Sequence, residues 1–176
     1  MVRAGDNDAI TLGNGADTVT AGDDALITLG NGADNVTAGS GSTIKLGNGP
    51  DTVTAGDDAL IALGNGADNV TAGSGSTITL GNGADTVTAI SSLINGGNGH
   101  DSFVFTGSFG QDTINNFGPQ HDTIALAHDL FANFGAVQTH MSQVGTNTVI
   151  TYDPADVITL TDVKASSVQA SDFRFV

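Results

Sequence analysis

Short segments that alternate apolar and polar residues run through the first half of the chain, separated by glycine-rich turns. In residues 13–29 they lie around Thr18-Val19-Thr20 and around Ile27-Thr28-Leu29. A period of two predicts β-strands that turn one set of side chains inward, here Val19 with Ala21 and Ile27 with Leu29. Equivalent apolar residues recur along the chain and predict buried columns: Val36, Val53, Val70 and Val87; Ile10, Ile44, Ile61 and Ile78; Leu12, Leu46, Leu63 and Leu80.

The turns repeat as regularly as the strands. The motif Leu-Gly-Asn-Gly-(Ala/Pro)-Asp occurs five times at a constant spacing of 17 residues, beginning at Leu12, Leu29, Leu46, Leu63 and Leu80. A fixed period of about 20 residues is typical of solenoids, in which each coil buries its apolar side against the next. We therefore predict an all-β fold: a parallel β-roll, or β-solenoid, of 17-residue coils over residues 4–105, followed by a β-rich capping region over residues 106–176.

The composition changes near residues 89–95. All eight phenylalanines and the single tyrosine lie at or beyond Phe103, which predicts a region with larger core side chains that closes the end of the roll. We predict strands in antiparallel or mixed sheets at 112–117, 122–126, 148–152 and 157–161, and short helical turns at 129–134 and 165–169.

Charge narrows the classes of function. The net charge is −15, all 19 acidic residues are aspartate, and only four residues are basic, so the sequence disfavours binding to nucleic acids and to anionic lipid surfaces. Aspartate favours turns, whereas glutamate favours helices. The absence of cysteine excludes disulfides and thiolate metal sites, and no apolar run is long enough to predict a membrane span.

The two turns of each coil are not equivalent. One edge of the roll, here called the repeat edge, keeps Gly-Asn-Gly-x-Asp in every coil, so stacking aligns Asp17, Asp34, Asp51, Asp68 and Asp85 in one column. Carboxylates about 5 Å apart repel by about 3 kcal/mol at an effective dielectric constant near 20, so we expect a cation between them. The alternative is that aspartate serves here only as a turn former.

The other edge, here called the variable edge, alternates between Ala-Gly-Asp-Asp-Ala-Leu and Ala-Gly-Ser-Gly-Ser-Thr. The position equivalent to the carboxylate column is occupied there by Asp8, Ala25, Ser42, Ala59 and Ser76. We expect this edge to be largely empty of metal, with the aspartates at 23, 24, 57 and 58 as solvated turn residues.

These turns resemble the calcium-binding nonapeptide repeats of RTX (repeat-in-toxin, hemolysin-type) proteins, G-G-x-G-x-D-x-U-x with U a large apolar residue. Residues 96–104 fit the motif in full, and the five 17-residue coils depart from it only by leucine in place of the first glycine. The resemblance covers residues 12–104. The segments at 110–117, 122–124, 156–160 and 172–176 look like the family's C-terminal region, which caps the roll and carries a secretion signal.

The resemblance implies Ca²⁺ ions between successive turns, held by aspartate carboxylates and the backbone of the glycine turns. The ions would lie between neighbouring members of the column, and also between Asp85 and Asp101, whose spacing is 16 rather than 17 residues. The implied metal-site residues are Asp17, Asp34, Asp51, Asp68, Asp85 and Asp101, with Asn14, Asn31, Asn48, Asn65 and Asn82, and Gly15, Gly32, Gly49, Gly66 and Gly83.

The resemblance further implies an extracellular protein that is exported by a type I secretion machinery and folds when it meets Ca²⁺. We expect an accessory or structural module rather than an enzyme, because there is no glutamate for H-E-x-x-H and no G-x-S-x-G motif. The alternative is surface recognition of ice, a polysaccharide or a cell surface through outward rows on the first strand of each coil: Thr18, Thr20, Asn35, Thr37, Thr52, Thr54, Asn69, Thr71, Thr86 and Thr88.

Overall fold

Two parallel sheets face each other across a narrow core in the computed structural model, which describes residues 1–176. The first sheet has nine strands, each next to the one from the following coil. In spatial order they are Val2–Arg3, Thr18–Thr20, Asn35–Ala38, Thr52–Ala55, Asn69–Ser74, Thr86–Ile90, Ser102–Phe105, Thr123–Leu126 and Phe173–Phe175.

The second sheet has ten strands, of which eight are parallel and come one from each coil: Ala9–Thr11, Leu26–Thr28, Thr43–Lys45, Leu60–Ala62, Thr77–Thr79, Leu93–Asn95, Gln111–Asn115 and Val157–Leu160. An antiparallel hairpin, Met141–Val144 and Asn147–Thr151, completes it at the C-terminal end. A third sheet of three two-residue strands joins consecutive turns of the repeat edge at Asn65–Gly66, Asn82–Gly83 and Asn98–Gly99.

The strands pair in the register that the 17-residue period predicts. Val19 lies beside Val36, and Ile27 lies beside Ile44, so each side chain in the roll neighbours its own counterpart. The predicted parallel β-roll with a β-rich C-terminal region is confirmed.

One core of 37 buried residues runs from Ile10 to Phe173 and joins the roll to the capping region without interruption. The predicted inward side chains of Val19, Ala21, Ile27 and Leu29 are all buried. Each coil contributes only a few modest apolar side chains, so a coil becomes stable only when its neighbours cover both of its faces.

The capping region extends both sheets, because Ser102–Phe105 pairs with Thr123–Leu126, which in turn pairs with Phe173–Phe175. The predicted strands are present with slightly different bounds, and the hairpin strand Met141–Val144 was not predicted. The remaining elements are 3₁₀ turns at Ala165–Ser167 and Ala170–Asp172 and an α-helix at Phe134–Thr139.

The helical turn predicted at 129–134 is found only at its start, where the N–H groups of Leu130 and Phe131 donate to the Ala127 carbonyl oxygen at 3.0 and 3.2 Å, and the α-helix begins at Phe134. Its start is defined by Asn133, whose side-chain oxygen accepts a hydrogen bond from the backbone N–H of Ala136 at 3.1 Å. No helix in the protein is long and apolar enough to cross a lipid bilayer.

The buried isoleucine column allows a direct test of the packing. Ile61 is fully buried between its counterparts at 44 and 78, so Ile61→Ala should lower the free energy of unfolding by about 2–5 kcal/mol. Thr54→Ala, an exposed position on the other sheet, is the control and should change it by no more than about 0.5 kcal/mol. Urea unfolding measures both, and equal effects would contradict the inward assignment.

Candidate metal centre

The turns of the repeat edge stack so closely that only glycine fits at some positions. A Cβ atom on Gly32 or on Gly49 would collide with the backbone carbonyl group of the glycine one coil earlier. Gly49 also has a φ of +135°, which side-chain-bearing residues rarely adopt. The backbones pair directly as a result, with the Gly32 N–H donating to the Asn48 carbonyl oxygen at 2.8 Å.

The asparagines of these turns form a ladder on the exposed rim. The backbone N–H and the side-chain Nδ2 of Asn48 both donate to Oδ1 of Asn31, each at 2.9 Å. Side-chain bonds of the same kind extend the ladder at its C-terminal end, where Asn98 Nδ2 donates to Asn82 Oδ1 at 2.8 Å. The structure thus places the predicted asparagine ligands in a hydrogen-bonded row of their own. Its members are Asn14, Asn31, Asn48, Asn65, Asn82 and Asn98.

The aspartates form a second, inner column. From Asp34 onward, Oδ1 accepts a hydrogen bond from the backbone N–H of the aspartate one coil earlier, as in Asp34 N–H to Asp51 at 2.9 Å and Asp51 N–H to Asp68 at 2.8 Å. The shorter spacing before Asp101 does not interrupt the column, since Asp85 N–H donates to Asp101 at 3.0 Å. The column comprises Asp17, Asp34, Asp51, Asp68, Asp85, Asp101 and Asp122.

The second carboxylate oxygen is the unusual atom of this column. Oδ2 is buried without any hydrogen-bond partner in four consecutive members, Asp34, Asp51, Asp68 and Asp85. An ionised group that is removed from water without a partner is strongly unfavourable, and such groups normally bind a proton or a cation.

The environment of the column favours neutralisation of the carboxyl groups. Burial raises the pKa of Asp51 to about 6, and the neighbouring charges of Asp68 and Asp34 add to that rise. Burial likewise raises the pKa of Asp101 to about 6 and raises those of Asp68 and Asp85. The hydrogen bond from the preceding backbone N–H opposes the shift in each case but does not overcome it.

The donor set fits a hard cation. The column offers oxygen atoms alone, with unpaired Oδ2 atoms in consecutive coils and closely stacked glycine-turn backbone beside them. No three side chains of histidine, cysteine, aspartate or glutamate converge on one point anywhere in the protein. Any ion here would therefore be shared by adjacent members of the column and completed by backbone or solvent oxygen.

In the 17-residue coils, the variable edge satisfies its turns without such unpaired atoms. Ser42 Oγ and Ser76 Oγ occupy the positions of the column and accept from Ala25 N–H and Ala59 N–H, each at 3.2 Å. On the rim of this edge, Asp23 Oδ1 accepts from Ser40 N–H at 2.8 Å. The aspartates at 23, 24, 57 and 58 are exposed, as predicted, and each pair alternates with a serine-glycine coil.

Buried aspartates of the capping region were missed as individual site residues at the level of sequence. They are Asp112, Asp122, Asp156 and Asp172. Asp112, Asp122 and Asp156 can be identified by the segment Asp-x-apolar, which they share with the repeats, whereas Asp172 is followed by Phe173 and Arg174 and departs from it. Asp122 extends the column, because its Oδ1 accepts from Asp101 N–H at 2.9 Å.

Comparison with known proteins gives structural similarities at low sequence identity. No protein-family model matches the chain, and no curated protein matches it. The extracellular lipase LipA from Serratia marcescens is similar with a TM-score of 0.44 and 13% identity, over 98% of this chain and 39% of the lipase chain. The AlgE6R2 subunit of the Azotobacter vinelandii mannuronan C5-epimerase is similar with a TM-score of 0.43 and 23% identity, over 72% of this chain and 92% of that one. The chain thus spans about two fifths of the length of the lipase.

The raised pKa values predict an inverted pH dependence of stability for the protein in a metal chelator. Because the pKa of Asp51 and of Asp101 is about 6 in the folded state against 3.8 for the free side chain, the folded state binds more protons between these values. The folded state should therefore become more stable as the pH falls from about 7 to about 5, and the β-structure seen by circular dichroism in chelator should increase over that range.

Asp51→Asn removes one of these charges and keeps the size of the side chain. In chelator, this variant should have more β-structure by circular dichroism than the unmodified protein at a pH of about 7, and its β-structure should depend less on pH. β-structure that increases with pH in the unmodified protein would contradict the raised pKa values.

Proposed function

We propose that the chain is an RTX-type β-roll module that binds several Ca²⁺ ions along its repeat edge and couples its folding to them outside the cell. The observation that carries the proposal is the row of buried, unpaired Oδ2 atoms of Asp34, Asp51, Asp68 and Asp85. The nonapeptide motif of the turns supports it independently. In this proposal the module is not a catalyst but an accessory or structural part of a type I-secreted protein.

Calcium is the ion that suits these donors. Ca²⁺ accepts six to eight oxygen ligands in flexible geometry, whereas Zn²⁺ and copper prefer the nitrogen and sulfur ligands that the column lacks. Mg²⁺ requires a tighter octahedral shell and keeps much of its water. The residues that would hold calcium are Asp17, Asp34, Asp51, Asp68, Asp85 and Asp101, with backbone oxygens of the adjacent Gly-Asn-Gly turns.

Binding and folding are linked in this arrangement. An ion between two coils has its ligands in place only when both coils are folded, so it stabilises the native state by mass action. Each interior aspartate faces a neighbour on both sides, so the loss of one carboxylate weakens two ion positions. Extracellular sites need affinities of only about 10⁻⁴ to 10⁻³ M, which favours folding after export.

A calcium titration followed by circular dichroism tests the proposal. The unmodified protein should gain β-structure cooperatively as Ca²⁺ is added. Asp51→Asn should raise the midpoint concentration by about tenfold or more and reduce the cooperativity, since a ligand is lost from two positions.

Asp57→Asn is the matched control, because it makes the same substitution in the same coil at an exposed position on the variable edge. It should leave the titration unchanged. A titration of the unmodified protein that Ca²⁺ does not alter, or equal effects of the two variants, would overturn the proposal.

A second candidate function is surface recognition by the first sheet. Its outward threonine and asparagine side chains stand in register from coil to coil, as in Thr18, Asn35 and Thr52, and from Thr18 to Thr71 the members of both rows are exposed. Such rows offer regularly spaced hydroxyl and amide groups to an ordered partner such as ice or a polysaccharide.

Thermal hysteresis in calcium distinguishes this candidate. If the rows bind ice, Thr54→Lys should abolish the hysteresis, whereas Thr79→Lys on the outer face of the second sheet should preserve it. The absence of hysteresis in the unmodified protein would exclude ice as the partner. A pull-down on an insoluble polysaccharide with the same two variants tests polysaccharide binding.

A further inference from the structure

A buried, unpaired carboxylate oxygen also lies outside the aspartate column. It is Oδ2 of Asp112, on the variable edge where the roll meets the capping region. Asp112 is 1% exposed, and its Oδ1 accepts from Ser92 N–H at 2.7 Å. Its strand, Gln111–Asn115, lies between the last 17-residue coil and the capping strand Val157–Leu160.

The charged side chain that influences Asp112 is a second carboxylate, not a cation. Asp156 is buried at the end of the loop 152–156, and its Oδ1 accepts from Phe109 N–H at 2.8 Å and from Gly110 N–H at 2.6 Å. Burial raises the pKa of Asp112 to about 7, and the charge of Asp156 adds to the rise. Only hydrogen bonds from the backbone of Ser92 and Ser91 oppose it. The same loop carries a further, exposed carboxylate, Asp153.

Other buried aspartates of the capping region show that this arrangement is not required for capping. Both oxygens of Asp122 accept backbone hydrogen bonds, from Asp101 at 2.9 Å and from Gly118 at 2.7 Å. Both oxygens of Asp172 do the same, from Gln120 at 2.7 Å and from Gln169 at 2.8 Å. Asp112 alone among the buried capping aspartates keeps an oxygen that is both fully buried and unpaired.

We propose that Asp112 and Asp156 form a separate site for a hard divalent cation at the junction of the roll and the capping region. A cation there removes the repulsion between the two carboxylates and supplies the partner that Oδ2 of Asp112 lacks. The site uses no residue of the repeat edge. Its occupancy fastens the loop 152–156 to the last strands of the roll.

The single tyrosine of the chain provides a local reporter. Tyr152 belongs to the loop that carries Asp156, and its N–H donates to the Asp156 carbonyl oxygen at 3.0 Å. The chain has no tryptophan. Tb³⁺ replaces Ca²⁺ at oxygen sites and emits when a nearby excited tyrosine transfers energy to it. Emission excited through Tyr152 therefore reports on the junction, not on the aspartate column of the opposite edge.

In the full chain, Tb³⁺ should give tyrosine-sensitised emission that added Ca²⁺ suppresses by competition. Asp112→Asn should weaken the Tb³⁺ affinity measured by this emission by about tenfold or more. Asp51→Asn should leave the emission intact while it impairs the calcium titration by circular dichroism. The emission thus tests the junction site and the calcium titration tests the repeat edge, so either proposal can fail while the other holds.

Tyr152→Phe verifies the reporter: it should abolish the emission but keep the calcium dependence of folding. If Asp112→Asn prevents folding, competition between Ca²⁺ and Tb³⁺ in the unmodified protein still tests the site. Unmodified protein that folds with calcium but shows no sensitised emission would overturn the proposal. So would Asp112→Asn protein that emits as strongly as the unmodified chain.

Discussion

Every side chain in the roll is stacked on its own counterpart, and this constraint determines what each column of residues can be. Apolar columns satisfy it directly, since Val19 against Val36 and Ile27 against Ile44 bury each other. Asparagine satisfies it because an amide both donates and accepts, so one Asn side chain can bond the next. An ionised aspartate only accepts, and it cannot pair with another aspartate. The structure gives one oxygen of Asp34, Asp51, Asp68 and Asp85 a backbone N–H and leaves the other oxygen buried without a partner.

The two edges of the roll represent two solutions to this constraint. From Asp23 onward, the variable edge avoids like charges by alternation: the coil with Asp23 is followed by a coil with Ser40, whose N–H donates to the carboxylate. In the same turns Gly41 lacks the Cβ that would meet the side chain of Asp24. The repeat edge has no such alternation, since aspartate recurs in every coil and is buried from Asp34 onward. Within the 17-residue coils, the variable edge satisfies its polar atoms internally, whereas the repeat edge leaves buried carboxylate oxygens unpaired on the opposite side of the same core.

The roll could be predicted from the sequence because its period fixes the register, and the register fixes which residues meet. The buried columns and the alignment from Asp17 to Asp85 follow from that alone. The sequence does not show which side-chain atoms of a stacked residue form hydrogen bonds with the next coil. It therefore did not distinguish the hydrogen-bonded asparagine ladder from the carboxylate column. Past Phe103 the period is lost. There the helix at Phe134–Thr139 and the strand Met141–Val144 depend on tertiary packing rather than on a local pattern.

The hydrogen bonds of the aspartate column all point the same way along the solenoid, because each carboxylate accepts from the coil before it. The stack therefore has a polarity, and its two ends are chemically different. At the end nearest Asp122 the last acceptor is built into the capping region. Assembly that begins there always exposes a hydrated carboxylate at its advancing face, and each arriving coil finds its acceptor already in place. Assembly from the opposite terminus would advance with an unsatisfied amide instead, so the C-terminal region is the better template for winding the spiral.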